Sequence, residues 1–234
     1  NVFKPELTFK DSTAYYGETV PTDFTNSNKV GATKWMHDTK EAVPAEMIGT
    51  EPTLDISYTP DESKLENGKY TKQDVPVSAT VKIGTENVNE HTTFVHDTCT
   101  DADCNWITPT AKGTPAFLIH IKTCQLTITK TGGKDGEPYV FTVKKDGQPY
   151  TEVTIVGNNN VTIIELPVGT YTIVENEKWS WRYPRPAYSD GVTLSAGSHE
   201  GTITCTNART IDKWLNGFST VVKNVFDESK SNNA

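Results

Sequence analysis

Basic charge is scarce in this sequence, and its scarcity excludes a whole class of partners. Lysine and arginine number 22 against 30 acidic residues, a formal net charge of −8. Nucleic-acid binding needs clustered cations facing phosphates, so it is not expected. No run of 18 apolar residues occurs, so no membrane-spanning helix is expected either. The histidines number five and are scattered. No serine or cysteine stands in a nucleophile motif. Thr131-Gly132-Gly133 lacks the flanks of a phosphate-binding loop. An enzyme is therefore not expected, and no cofactor is called for. The chain opens at Asn1 with neither methionine nor a basic–apolar leader, and it carries no L-P-x-T-G sorting signal. The first feature is expected of a mature or excised fragment; the second leaves any wall attachment to sequence absent here or to another subunit.

What the sequence does have is alternation. Hydrophobic residues make up 35% and charged ones 22%, enough apolar content for a core in a soluble chain. Val75, Val77, Ala79, Val81 and Ile83 share one face of a strand. Leu54, Ile56 and Tyr58 do the same, as do Leu7 and Phe9, and Tyr139, Phe141 and Val143. Asn67-Gly68 and Asp146-Gly147 mark hairpin turns, and Asn158 to Asn160 form a polar tip before a strand at Val161–Ile164. Short strands with frequent turns read as all-β, as two tandem immunoglobulin-like sandwiches. The inward parity changes between Phe117, Ile119, Ile121 and Cys124, Leu126, Ile128. A boundary is expected there, with a first domain over 1–121, a second over 122–209 and a tail over 210–234. Thr123 leaves room for only a very short linker, which suits a stalk. Trp35 and Met36 read as core.

Three polar residues fall in phase with apolar neighbours at strand ends. Lys130 follows Leu126 and Ile128, Glu175 follows Tyr171 and Ile173, and Asn207 follows Ile203 and Cys205. Period-two alternation turns all three inward. Buried, such groups are costly unless they meet one another. Burial also favours the neutral, nucleophilic amine of lysine. A nearby protonated carboxyl can polarise an amide carbonyl. Together these groups have the chemistry to join lysine to asparagine with release of ammonia.

The stretch from Cys124 to Asn207 reads CQLTITKTGG…YVFTVKKDG…ELPVGTYTIVEN…GTITCTN. It resembles the CnaB-type immunoglobulin-like domains of Gram-positive surface adhesins and pilins. The most specific motif is Leu166-Pro167-Val168-Gly169-Thr170-Tyr171-Thr172-Ile173-Val174-Glu175. The resemblance implies a spontaneous isopeptide bond, with Lys130 as nucleophile, Asn207 as acceptor and Glu175 as acid/base. It covers about 85 residues and implies nothing for the first domain.

The cysteines complicate that implication. Cys124 and Cys205 share the inward parity of the same two strands, so a disulfide between them is expected, with Cys99–Cys104 as the second pair. Two disulfides would place the chain in an oxidising, extracellular setting. Yet Cys124 lies six residues before Lys130, and Cys205 two before Asn207. Parallel strands with opposed cysteines would hold Lys130 out of reach of Asn207, and antiparallel strands would present Lys122 instead. Either a disulfide replaces the isopeptide, or Lys122 is the partner of Asn207.

Other segments carry less. His96, Cys99 and Cys104 fall one ligand short of a zinc site. Asp101, Asp103 and Asn105 begin like a calcium loop, but Trp106 stands where glycine is needed. No metal is expected. Trp179, Trp181 and Tyr183 alternate beside arginines; lid packing is the favoured reading and a glycan or host-protein surface the alternative. Asn160-Val161-Thr162 is a glycosylation sequon, idle in a bacterial protein. Apolar residues at helical spacing over 211–226 predict an amphipathic tail, or else a strand, able to dock on a neighbouring surface subunit. The expectation is a stalk or adhesin fragment, extracellular at a bacterial surface, with host-ligand binding as the alternative.

Overall fold

Alternating apolar residues build nearly every element among the described residues as strand. The computed structural model describes residues 4–22, 29–36, 42–48, 50–89, 92–96, 116–176 and 185–208. The chain divides into two compact units, Asn1–Thr123 and Cys124–Ala234.

The first unit contains β1 (Lys4–Phe9), β2 (Ser12–Tyr15), β3 (Lys29–Met36), a single helical turn α1 (Ala45–Ile48), β4 (Leu54–Pro60), β5 (Leu65–Glu66), β6 (Lys69–Tyr70), β7 (Val75–Ile83), β8 (Glu86–Asn87), β9 (Thr93–His96) and β10 (Phe117–Lys122). One sheet has the order β3-β1-β9, and a second the order β2-β10-β7-β4 with β8 on β7. Leu7 and Phe9 from the first sheet pack with Val75, Val77, Val81 and Phe117 from the second. The rings of Phe9, Tyr58 and Phe117 meet at centroid distances of 5.8 to 6.2 Å. The alternation read at 75–83 is the buried face of β7, although Ile83 at its end is only half-buried. Trp35 is buried and Met36 half-buried. Asn67-Gly68 joins β5 to β6 with positive φ at both residues, which asparagine and glycine tolerate best.

β10 pairs in parallel with β2, and a charged clasp fixes that junction. Asp11 accepts from the Leu118 amide at 2.7 Å and Asp74 from the Ile121 amide at 2.9 Å. Between them, His120 reaches Asp11 at 3.2 Å and Asp74 at 2.9 Å. Burial alone would pull the imidazole down, but the hydrogen bonds and charges of Asp74 and Asp11 outweigh it and hold its pKa above the ordinary 6.5.

The second unit contains β11 (Cys124–Thr131), β12 (Pro138–Lys145), β13 (Gln148–Val156), β14 (Asn160–Leu166), β15 (Gly169–Glu175), β16 (Ala187–Tyr188), β17 (Val192–Leu194) and β18 (Glu200–Thr206). Its two sheets run β14-β11-β18-β16 and β13-β12-β15-β17. Leu126, Ile128 and Ile203 of one sheet and Tyr139, Phe141, Val143, Tyr171 and Ile173 of the other are buried. The L-P-x-G-x-Y segment makes a corner. The Tyr171 hydroxyl donates to the Pro167 carbonyl at 2.8 Å, which locks the entry of β15 while the ring fills the core. Asp146-Gly147 closes the β12–β13 hairpin with φ of 51° and 81°. No helix among the described residues is long and apolar enough to cross a membrane.

A raised imidazole pKa means the folded state binds the proton more tightly. That stabilisation is complete below the unfolded pKa and is lost as pH rises through the folded one. Thermal unfolding of the first unit should therefore fall in midpoint as pH rises above the ordinary imidazole value of 6.5, and His120→Gln should flatten this slope. An unchanged slope in the variant would remove the clasp as its cause.

Candidate functional site

The first and last strands of the second unit, β11 and β18, lie side by side and parallel. Their register sets Gln125 opposite Glu200, Ile128 opposite Ile203, Lys130 opposite Cys205 and Thr131 opposite Thr206. Beyond the last rung, the Asn207 amide donates to the Thr131 carbonyl at 3.0 Å. Lys130 and Asn207 thus sit at the same end of neighbouring strands. Glu175 ends β15 in the facing sheet, where Phe141 is its partner on β12.

All three side chains are buried, with exposures of 1% for Lys130, 1% for Glu175 and 2% for Asn207. The Glu175 carboxyl bridges the other two. Its Oε1 accepts from Asn207 Nδ2 at 3.1 Å, and its Oε2 faces Lys130 Nζ at 3.8 Å. Lys130 Nζ also donates to the Thr131 carbonyl at 3.0 Å and lies 4.6 Å from the Tyr139 ring centroid. Burial pushes Lys130 below the ordinary lysine range, and the neighbouring Cys205 and Glu175 only partly offset it. The Tyr188 hydroxyl receives the Glu175 amide at 2.9 Å and ties the end of β15 to β16.

Several of these neighbours carried no assigned role in the sequence reading. Gly132 has φ of +71°, and a Cβ there would lie 1.8 Å from the Asn207 carbonyl oxygen. Only glycine lets the Asn207 backbone come so close. Asn158 holds the next residue, accepting from the Gly133 amide at 2.7 Å and donating to its carbonyl at 2.9 Å. A Cβ on Gly133 would press on the Tyr139 ring at 2.8 Å, so that glycine admits the ring which covers Lys130. The available signal was a Gly-Gly pair directly after a lysine-bearing strand.

The expected Cys124–Cys205 disulfide is not made; both cysteines are buried and not joined to each other. Shared parity is necessary for such a bond but not sufficient. Cys124 precedes the Gln125–Glu200 rung, and the Gln125 amide donates to the His199 carbonyl. Cys205 is six residues farther along β18, roughly 20 Å at the rise of an extended strand. A disulfide needs Cα atoms within about 7 Å. The alternative lysine, Lys122, is exposed on β10 of the first unit, opposite Tyr15. Parallel pairing of β11 with β18 leaves Lys130, not Lys122, at the Asn207 end. Cys99, Cys104, Trp179, Trp181, Tyr183 and the 211–226 tail lie outside the described residues.

No family model matches this chain, and no curated protein matches it. Among solved structures it is similar to a bacterial adhesin from Mobiluncus mulieris containing intramolecular disulfide, isopeptide and ester bond cross-links, at 16% identity over 64% of this chain and 63% of that one, with a TM-score of 0.38. It is also similar to BcpA, the major pilin subunit of Bacillus cereus, at 14% identity over 61% of this chain and 42% of that one, TM-score 0.32. The major pilin protein (T-13) of Streptococcus pyogenes aligns at 14% identity over 88% of this chain and 97% of that one, TM-score 0.31. The chain therefore spans less than two-thirds of the length of the adhesin and of BcpA.

The approach at Gly132 separates two kinds of glycine. Gly132→Ala should lower the stability of the second unit by about 2 kcal/mol or more, because backbone must move. Gly147→Ala also has positive φ but meets nothing within 4 Å, and should cost about 1 kcal/mol. Denaturant midpoints of the two variants check this, and equal losses would show that the contact with Asn207 is unimportant.

Proposed function

We propose that the second unit joins Lys130 to Asn207 by an intramolecular amide bond, and that the chain is a structural shaft or adhesin segment of a Gram-positive cell surface. The single observation carrying this reading is the buried Glu175 carboxyl with one oxygen on the asparagine amide and the other toward the lysine amine. Such a carboxyl can move a proton without turning. Oε2 takes a proton from Nζ as the amine attacks Cγ of Asn207. Oε1 returns a proton to Nδ2 as the Cγ–Nδ2 bond breaks, and ammonia leaves. Holding the reactants in one buried site can supply an effective concentration of about 10⁵ M or more. The alternative fate of the trio is poor, since a buried ion pair gains little over its desolvation cost. Amide formation removes the lysine charge altogether.

Tension on the chain would enter β11 at its start and leave β18 at its end. Parallel neighbours pulled this way shear all their hydrogen bonds at once. A bond between Lys130 and Asn207 carries the force across and leaves residues 131–206 unloaded. It also closes a loop of roughly 80 residues, worth about 4–5 kcal/mol of unfolded-state entropy. The reaction happens once per molecule, so this is a self-modifying structural protein and not an enzyme acting on outside substrates.

Intact-mass measurement of the folded chain should show a deficit of about 17 Da, one ammonia. Lys130→Arg, Glu175→Gln and Asn207→Ala should each restore the full mass and lower the unfolding midpoint. Because only the neutral amine attacks and Lys130 sits below the ordinary lysine value of 10.5, the rate should rise with pH and level off before that value. Full mass in folded wild-type protein would refute the bond.

A further inference from the structure

Cys205 is the member of the buried cluster that the Lys130–Asn207 reading leaves without a task. Its side chain is fully buried, and it stands opposite Lys130 in the β11–β18 register. Its Sγ lies 3.2 Å from Glu175 Oε2 and 3.9 Å from Asn207 Oδ1. Burial first, and then the hydrogen bond to Glu175, push the thiol up to about 12. It therefore stays protonated at neutral pH and acts as a donor, not as a nucleophile.

The Glu175 carboxyl needs such a donor. The terminal torsion of glutamate is broad, so packing alone sets the plane of its oxygens weakly. Oε1 is held by Asn207 Nδ2, which is itself a reactant. Lys130 Nζ, at 3.8 Å from Oε2, is beyond ordinary hydrogen-bond length. Of the polar groups the structure sets against Oε2, the thiol is the one that the reaction does not consume.

We propose that Cys205 is a positioning residue for the lysine–asparagine condensation, its thiol fixing the Glu175 carboxyl with Oε2 toward Lys130 and Oε1 toward Asn207. This inference rests on the bond proposed above and assigns one more residue to it. The thiol keeps its proton and sulfur throughout. The bond formed is Nζ–Cγ, the bond broken is Cγ–Nδ2, and the only product released is ammonia. The same geometry explains a cysteine that makes no disulfide.

The test is the rate of ammonia loss by full-mass, unreacted chain recovered unfolded in urea and then refolded, followed by acid-quenched intact mass with circular dichroism on each sample. Cys205→Val keeps the volume and removes the donor; Cys205→Ser keeps a donor and suits the apolar surroundings less well. The valine variant should react roughly tenfold more slowly, the scale of one lost hydrogen bond to a charged group. The serine variant should stay within about threefold of wild type despite its poorer packing. A valine variant that folds and reacts at the wild-type rate overturns the proposal while leaving the bond standing. So does a serine variant as slow as valine, since packing alone would then explain both. Absence of ammonia loss in wild type overturns the bond and this role together. Should the valine variant not fold, Cys205→Ala against Cys205→Ser makes the same comparison.

Discussion

The parallel register between β11 and β18 is the constraint on which the second unit depends. Set Lys130 opposite Cys205, and Asn207 arrives beside the end of β11 with its amide on the Thr131 carbonyl. Slip the pairing by two residues, and parity is preserved while the cluster is dispersed. The same register keeps the two cysteines apart. It is held by apolar side chains along both strands and by Gly132, whose lack of a side chain lets the Asn207 backbone approach.

Around that register, costs and gains are divided between the sheets. One sheet supplies the amine and the amide, and the facing sheet supplies the carboxyl at the end of β15. Neither half is stable with its charge buried alone, because an unpaired buried ion costs several kcal/mol. The trio thus couples closure of the sandwich to satisfaction of its polar groups. The first unit solves a similar problem differently. There, Asp11, His120 and Asp74 form a clasp at the side of a parallel β2–β10 pair, with Asp74 partly open to water.

What could be read from the sequence follows the range of each interaction. Inward parity is local, so the burial of Lys130, Glu175 and Asn207 was visible from two or three apolar neighbours each. The paired turns at Asn67-Gly68 and Asp146-Gly147 were visible because their backbone needs positive φ. Register is not local. Cys124 and Cys205 satisfy the parity test and still lie six residues out of step, since parity repeats every two residues and cannot count rungs. The roles of Gly132 and Asn158 were harder to read, beyond the Gly-Gly pair itself, for a related reason. Their importance comes from a backbone brought across from residue 207 and a loop brought back to residue 133.

Placement of Lys130 and Asn207 at the same end of adjacent strands has a topological consequence. With the proposed amide in place, the polypeptide between them would become a closed circle with two tails leaving from nearly one point. A protease that cuts a hairpin such as Asp146-Gly147 then opens the circle without parting the tails. The molecule would stay a single covalent piece after a break that would divide any ordinary linear chain.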